Sequence, residues 1–244
     1  MKPKVICHIM SSVDGRIQVE RWTAPADGAE KSDLMKTYSE IGQMLHADAW
    51  TFGKNTVRDI FHDKTSIFPM GEKDMEMDTP VDKTSVYIGR RSSKRIFISF
   101  DPEADIIYTA SQLRECDIAV VLDMSTATPR YLTYLRKMGI SYIVVEDIMK
   151  LGSVLETLNK EFGIRSISLQ GGGTLNGAML NKGLINELSI VVYPGLDCNK
   201  NSASIFDNTI DSFVGKQSLT LQSVQQKDNG IIWLRYKVSH ADMP

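Results

Sequence analysis

One stretch decides the fold, Ser168-Leu169-Gln170-Gly171-Gly172-Gly173-Thr174-Leu175, in which an apolar alternation runs into consecutive glycines. The alternation predicts a strand, and the residues after the glycines predict a short helix that ends at Gly183. Because glycine has no Cβ, the chain can turn sharply here and a ligand can approach the backbone. The N–H groups and positive dipole end of the following helix suit a phosphate, in particular a dinucleotide pyrophosphate. A glycine triplet is equally compatible with an ordinary loop.

A second strand–glycine–helix junction lies upstream. Residues 47–52 predict a strand, and Gly53, Lys54 and Thr56 follow it at the start of a predicted helix. Lys54 and Thr56 are able to contact a phosphate oxygen. In the alternative interpretation, Gly53 is a turn residue and Thr56 a helix cap.

The first predicted strand, residues 5–10, leads into a turn. Its short apolar run is typical of a buried strand, and the turn that follows, residues 11–17, contains the dipeptide Asp14-Gly15. Ligands of α/β sheets bind beyond strand ends, so this turn is a candidate edge of a site. An ordinary surface turn capped by Asp14 fits the same residues.

Strands and helices alternate in the rest of the chain as far as residue 193. Helices are predicted from the apolar stripe Leu34, Tyr38, Ile41 and Leu45, from Thr128-Pro129 to Gly139, and from a capping box at residues 153–156 to Gly163. Further strands are predicted at residues 85–88, 95–100, 106–108, 118–122, 142–145, 187–194, 219–221 and 231–238, with a hairpin turn at Asn229-Gly230. This order predicts one α/β domain, residues 1–244, with a mixed sheet, helices on both faces and a C-terminal antiparallel hairpin.

Composition narrows the class of function. The net charge of −2 over 244 residues provides no basic field for nucleic acid. The apolar runs are too short to span a membrane, so we expect a soluble, cytoplasmic protein that acts on a small molecule. Three cysteines and four histidines lack the spacing of metal ligands, and we therefore expect no metal site.

Two segments carry open alternatives. Residues 61–83 form a long irregular stretch that suits either a substrate-covering lid or a dimer contact. Residues 89–94 form a short basic, hydroxyl-rich loop that could hold an anion such as a 2′-phosphate, although a solvated loop is the more common case.

Taken together, four motifs resemble the reductase domain of riboflavin biosynthesis, the RibD C-terminal domain, within the dihydrofolate-reductase-like superfamily. Residues 11–17 are similar to the family's S-x-D-G-[KR]-x turn, and residues 47–56 to its D-A-x-x-x-G-x-x-T segment. Residues 170–175 resemble its E-G-G-x-x-L, and residues 183–188 the following G-L-[VI]-D-E-L. The four occur in the family's order over most of the chain.

The resemblance implies a dihydrofolate-reductase-like three-layer α/β/α fold, NADPH as hydride donor and a homodimer. It assigns the pyrophosphate to Gly171, Gly172, Gly173, Thr174 and Leu175, and a further cofactor contact to Thr56 with Gly53. Trp22 stands about where the family has a tryptophan beside the cofactor. Asp14 and Gln170 would flank the nicotinamide, with Gln170 orienting the substrate through its amide.

Gln170 is also the main departure from the family, which has a pyrimidine-contacting glutamate at this position. The leading hypothesis is an NADPH-dependent reductase of a small carbonyl, imine or heterocyclic substrate. One alternative is the 5-amino-6-(5-phosphoribosylamino)uracil reductase of riboflavin biosynthesis itself. Another is a non-catalytic NADP(H)-binding protein.

Overall fold

The computed structural model describes residues 1–25, 28–60, 86–207 and 217–240. Within these ranges the chain contains eleven strands and five α-helices. The predicted α/β class with a mixed sheet is thereby confirmed. The chain forms two compact units, Met1–Pro3 with Asp48–Arg165, here the middle unit, and Lys4–Ala47 with Ser166–Pro244, here the terminal unit. A single domain over residues 1–244 stays a prediction.

The helices and strands follow one another in an order close to the predicted one. They are β1 (Lys4–Ser11), α1 (Lys31–Met44), β2 (Ala49–Gly53), α2 (Lys54–Ile60), β3 (Val86–Tyr87), β4 (Arg95–Asp101), β5 (Gln112–Leu113), β6 (Cys116–Asp123), α3 (Pro129–Met138), β7 (Ser141–Val145), α4 (Leu151–Phe162), β8 (Ser166–Leu169), α5 (Gly173–Asn181), β9 (Glu187–Val192), β10 (Gln217–Gln226) and β11 (Ile232–His240).

In the terminal unit the strand order is β10-β11-β9-β1-β8. β1 runs parallel to both β8 and β9, with Val5 opposite Ile167 and Ile9 opposite Ile190. The carboxyl ends of these three strands therefore meet at one edge. β10 and β11 form the predicted antiparallel hairpin, whose turn places Asn229 at φ 59° and Gly230 at φ 70°. The buried stripe of α1 packs with Val191 and Trp233 in the core of this unit.

In the middle unit β2, β4, β6 and β7 are parallel neighbours in that order. Two short strands, β3 and β5, add antiparallel pairs to β7 and β6. The central strands are buried over almost their whole length, as expected for a parallel sheet covered by helices. As in the terminal unit, their carboxyl ends share one edge.

The predicted ends of helix α3 are confirmed. Thr128 is its N-cap and accepts a hydrogen bond from the backbone N–H of Tyr131, Pro129 is the first helical residue, and Gly139 ends the helix at φ 74°. The end of α4 at Gly163, at φ 70°, is also confirmed. Both glycines adopt the left-handed conformation that favours glycine after a helix.

Two local predictions are wrong. Residues 106–108 are buried but form no strand, because side chains satisfy their backbone: Asp101 accepts the N–H of Ile106, and the Tyr131 hydroxyl donates to the Ile106 carbonyl. The capping box at residues 153–156 does not exist either. α4 begins three residues earlier than this capping box predicts, at Leu151 after the N-cap Lys150, and Ser153 lies inside the helix.

The segment 61–83, predicted to be a lid or a dimer contact, lies outside the described residues. Of the helices that the structure does describe, none is long and apolar enough to cross a membrane.

Candidate active site

The turn after β1 carries Asp14 at the carboxyl edge of the terminal unit. The Ser12 hydroxyl donates to Asp14 Oδ1 at 2.6 Å. The backbone N–H groups of Asp197 and Cys198 donate to its two oxygens at 3.1 and 2.9 Å. The side chain thus ties the turn after β1 to the loop that follows β9.

These contacts decide the charge of Asp14. The hydrogen bond from Ser12 and then that from Cys198 favour the carboxylate and lower the pKa of Asp14 to about 2. The group is therefore ionised near neutral pH, so it can orient a polar ligand or stabilise positive charge but has no proton to donate.

Gln170 lies directly after β8, at the same edge, with 8% of its surface exposed. The hydroxyl of Tyr38 donates to Gln170 Oε1 at 3.3 Å, and Gln170 Nε2 donates to the Ser168 hydroxyl at 3.3 Å. These two partners fix the direction of the amide. The side chain therefore has a defined orientation at this edge of the sheet.

Tyr38 belongs to a buried polar network that the sequence did not reveal. Its hydroxyl also donates to the His8 carbonyl at 2.9 Å, and its ring stacks on the His8 ring at 4.3 Å. The His8 imidazole lies between the Ser189 hydroxyl and the Tyr38 carbonyl, at 3.0 and 3.2 Å. Burial lowers the pKa of His8 to about 4, so the ring is neutral near pH 7. Through Tyr38, this network contacts the side chain of Gln170.

The glycine turn connects β8 to α5 as predicted. Gly171 adopts φ 92° and is joined to Gly172 by a cis peptide bond, and Gly172 is the N-cap of α5. Because glycine has no side chain, Gly172 provides no hydrogen-bond acceptor for the N–H groups at the start of α5. Thr174 in the first turn is exposed. Backbone N–H groups at a helix start are suited to an anionic ligand such as a pyrophosphate.

A segment that sequence reasoning missed, Ser204–Asp207, packs on this helix end. A Cβ on Gly173 would lie 2.3 Å from the Ser204 carbonyl and 2.5 Å from Asp207 Oδ2, so the third glycine is required by the chain's own packing. The buried Asn176 side chain donates to the Ile205 carbonyl at 2.9 Å. The carboxylate of Asp207 brings negative charge near the same helix end, where it would oppose a bound phosphate.

Trp22 lies in the core of the terminal unit. It is 4% exposed, and its ring stacks on Tyr193 at 5.4 Å. Its contacts are those of a core residue, clustered with Leu34 and Val191. Because its side chain is buried in this core, the structure gives no support to a contact between Trp22 and a cofactor.

The second junction lies in the middle unit. β2 ends at Gly53, and α2 begins at Lys54, which makes Thr56 its third residue. Lys54 does not present a free charge, because its ammonium contacts Glu103 at 2.6 Å and Asp105 at 3.0 Å. Gly53 and Thr56 lie at the predicted junction between a strand and a helix. Lys54 is paired with carboxylates of its own chain.

The basic loop at residues 89–94 also binds a carboxylate of its own chain, that of Asp117. The backbone N–H groups of Ser92 and Ser93 donate to Asp117 Oδ2 at 2.9 and 2.8 Å. Burial of Asp117 raises its pKa, but hydrogen bonds from Gln112, Ser93 and Ser92 outweigh that effect and the pKa is lowered. This loop precedes β4 and packs on the start of β6, so it lies at the amino edge of the parallel strands. The idea that it holds a 2′-phosphate is therefore not supported.

The residues of the terminal unit fit a dinucleotide in part. The start of α5 has backbone N–H groups without an N-cap side chain, and the buried Asn176 Oδ1, near the glycine turn, lacks a hydrogen-bond partner among the described residues. The Asp207 carboxylate at the same helix end does not favour a phosphate. Asp14 and the oriented amide of Gln170 line the same edge of the sheet.

Comparisons with known proteins identify the family. The sequence model of one protein family, the RibD C-terminal domain, matches residues 3–233 of this chain. The chain belongs to this family.

Solved structures agree on the fold. A pyrimidine reductase-like protein of Corynebacterium diphtheriae matches with a TM-score of 0.64 and 17% identity over 98% of this chain and 92% of that one. The riboflavin biosynthesis reductase of Saccharomyces cerevisiae matches with a TM-score of 0.57 and 16% identity over 98% and 90%. RibD of Acinetobacter baumannii matches with a TM-score of 0.58 and 20% identity over 98% of this chain, which spans 58% of that protein.

As a RibD C-terminal domain, the chain is an oxidoreductase of the reductase type. The structure brings Asp14, Gln170 and residues 171–175 to one edge of the terminal unit. Gly53, Lys54 and Thr56 belong to the middle unit. No sequence pattern marks Tyr38 as a partner of Gln170, since helical periodicity predicts only that Tyr38 is buried.

Proposed function

We propose that this chain is an NADPH-dependent reductase of a small carbonyl, imine or heterocyclic substrate. Membership of the RibD C-terminal family supports the reductase, and the resemblance supports NADPH as the donor. The observation that carries the proposal is the amide of Gln170, held by Tyr38 and Ser168 at the residue before the glycine turn and the start of α5. A fixed polar group beside a helix end that can take a pyrophosphate is what a dinucleotide-dependent site needs.

Each residue has a separate role in this proposal. NADPH, when bound, supplies the hydride. The start of α5 holds the pyrophosphate through its backbone N–H groups, which no N-cap side chain occupies because Gly172 is the N-cap. Gln170 orients the substrate through its amide, and Asp14, as a carboxylate, contacts a polar group of the ligand. Since Asp14 is ionised, the proton that completes a carbonyl or imine reduction comes from water.

The substrate of riboflavin-pathway reductases fits the residue at position 170 less well. Gln170 replaces a negatively charged carboxylate with a neutral amide whose oxygen already accepts a hydrogen bond from Tyr38. The amide therefore has less capacity to accept N–H groups of a pyrimidine. We propose a substrate that needs one oriented amide rather than a carboxylate.

A homodimer is proposed from the outer face of the C-terminal hairpin, which we call the hairpin face. Leu219, Leu221 and Val224 of β10 and Ile232 of β11 are 52%, 53%, 56% and 39% exposed. The register pairs these β10 residues with Val238, Tyr236 and Leu234, so all of them lie on the same side of the sheet. A contiguous apolar face of this kind on an edge strand is an aggregation hazard unless it is covered. A second copy covers it symmetrically.

The proposal is tested first by binding and then by turnover. Isothermal calorimetry of the full chain with NADPH should give saturable binding, and binding of neither NADPH nor NADH at millimolar concentration would contradict the reductase. Loss of the near-ultraviolet absorbance of NADPH is then followed over a panel of carbonyl, imine and pterin-like substrates. Tight cofactor binding without turnover of any of them, including the phosphoribosylaminopyrimidine, favours the non-catalytic NADP(H)-binding alternative.

A further inference from the structure

We infer that Gln170 selects substrates that carry a hydrogen-bond donor and an acceptor on neighbouring atoms, as a lactam does in its N–H and C=O groups, and that Tyr38 positions Gln170 for this contact. The inference rests on the proposed function, because it names the substrate class of the same reductase. It concerns the terminal unit alone, to which both residues belong.

The side chain of Gln170 has hydrogen-bonding capacity that its own chain does not use. An amide offers two N–H donors and two acceptor lone pairs. Among the described residues, Tyr38 meets its oxygen and Ser168 meets its nitrogen, each at 3.3 Å, so each atom has one partner. One N–H and one lone pair therefore remain. Exchanging the amide oxygen and nitrogen leaves the same count, because a hydroxyl can either donate or accept.

The unused donor and acceptor of Gln170 lie where a ligand is expected. The residue directly follows β8, at the carboxyl edge of the strands, outside which ligands of α/β sheets bind. Only 8% of its surface is exposed. Buried polar groups cost free energy when their hydrogen bonds are not made. A ligand that makes both remaining bonds is therefore favoured over a ligand that makes one or none.

These two groups select a particular chemistry in the substrate. The amide oxygen accepts from an N–H group, and the amide N–H donates to a carbonyl. A lactam carries both on adjacent ring atoms, as close together as the oxygen and nitrogen of the amide. A ketone or aldehyde offers an acceptor only. A pyrimidine turned so that two N–H groups point to position 170, as suits a carboxylate, would leave the N–H of Gln170 without a partner.

Tyr38 holds the amide in place because His8 fixes Tyr38 in turn. The two rings stack at 4.3 Å with an interplanar angle of 5°, and the Tyr38 hydroxyl also contacts the His8 carbonyl at 2.9 Å. The Tyr38 carbonyl can only accept, so His8 Nε2 carries the proton in their contact at 3.2 Å. His8 Nδ1 then accepts from the Ser189 hydroxyl at 3.0 Å, and the Ser189 oxygen accepts from Trp233 Nε1 at 2.8 Å. This chain of hydrogen bonds fixes the hydroxyl that contacts Gln170.

The first test compares two probes of nearly equal size, the lactam quinazolin-4-one and its derivative methylated at the lactam nitrogen. The full chain is saturated with NADP⁺, which prevents turnover, and calorimetry measures the binding of each probe. We expect the lactam to bind about tenfold more tightly, the equivalent of one good hydrogen bond.

Equal affinities of the two probes, or binding of neither at millimolar concentration, would overturn the inference. Oxidation of NADPH with the substrate panel would in that case still support the proposed function. If the chain binds no NADP(H), the proposed function is overturned and the inference with it.

The second test changes the two residues. Gln170→Leu removes the amide at similar volume and should abolish the preference for the lactam, without changing the affinity for NADP⁺. Tyr38→Phe keeps the ring that stacks on His8 and removes only the hydroxyl, so the preference should fall by about threefold. In the Gln170→Leu background, Tyr38→Phe should have no further effect on the preference. Tyr87→Phe, which removes a hydroxyl from β3 of the middle unit, is the matched control and should keep the full preference.

Melting temperatures separate this role from a structural one. If Tyr38 and Gln170 only stabilise the fold, their variants have lower melting temperatures and bind both probes more weakly by the same factor, which would overturn the inference. A full preference for the lactam in a folded Gln170→Leu variant would overturn it as well. Where the leucine variant does not fold, Tyr38→Phe decides, and a preference equal to that of the unmodified chain would overturn the positioning role.

Discussion

At the scale of single residues, the buried imidazole of His8 makes stability depend on pH. Burial lowers its pKa from 6.5 to about 4, so the unfolded chain takes up a proton in this interval and the folded chain does not. The contribution of neutral His8 is fully present above pH 6.5 and is lost as the pH falls towards 4. We expect the free energy of unfolding to fall by about 3 kcal/mol over this range from His8 alone.

This prediction is checked by urea unfolding at several pH values. His8→Gln should flatten the pH dependence between 6.5 and 4, whatever it does to stability at neutral pH. The matched control is His46→Asn, at an exposed position with φ 48° that asparagine tolerates. A pH dependence as steep in His8→Gln as in the unmodified chain would show that His8 is not its source.

Gln170 offers a second residue-scale prediction, about the substrate. Gln170→Glu restores the carboxylate that the family uses, while the oxygen can still accept from Tyr38. Turnover of the phosphoribosylaminopyrimidine should therefore be low in the unmodified chain and rise by about tenfold in the variant, the equivalent of one good hydrogen bond. Steady-state kinetics with this substrate measure the change, and Gln43→Glu, at an exposed position of α1, serves as the control. Efficient turnover by the unmodified chain would contradict our interpretation of Gln170.

At the scale of elements, the helix ends depend on glycine backbone conformation. Gly163 ends α4 at φ 70°, and no other atom lies within 4 Å of the position that a Cβ would take. Gly163→Ala therefore adds backbone strain without a steric clash and should lower the free energy of unfolding by about 1 kcal/mol. Gly163→Asn should cost less, because asparagine tolerates this conformation. Urea unfolding of both variants tests the order, and an alanine variant as stable as the unmodified chain would contradict it.

At the scale of the whole molecule, the hairpin face predicts the oligomeric state. Leu221→Lys and Val224→Lys place two charges on a face whose exposed fractions are 53% and 56% at these positions. Burying them between two copies would cost several kcal/mol, so the double variant should be a monomer and the unmodified chain a dimer. Light scattering coupled to size-exclusion chromatography measures the mass. Met149→Lys, at a residue 54% exposed in the middle unit, is the control and should remain dimeric.

A monomeric unmodified chain would refute the dimer but not the reductase, since the residues proposed for the site, Asp14 and Gln170, do not belong to the hairpin face.

Sequence patterns predicted most of the strands, both ends of α3, the carboxyl end of α4, the hairpin turn and the glycine turn before α5. These features follow from short-range physics: apolar periodicity, a proline at the first helical position, and glycines or asparagines at positive φ. Sequence patterns failed at residues 106–108, where apolar content predicted a strand, because side chains distant in sequence satisfy that backbone.

Only the tertiary structure decided which charges meet. Asp14 binds backbone N–H groups 183 and 184 residues away, and Lys54 binds Asp105, 51 residues away. From the sequence, Lys54 is a free cation suited to phosphate, whereas in the fold it is paired with Glu103 and Asp105. Local patterns carry no information about such pairs, because a charge interacts with whatever the packing of distant segments brings within a few ångströms.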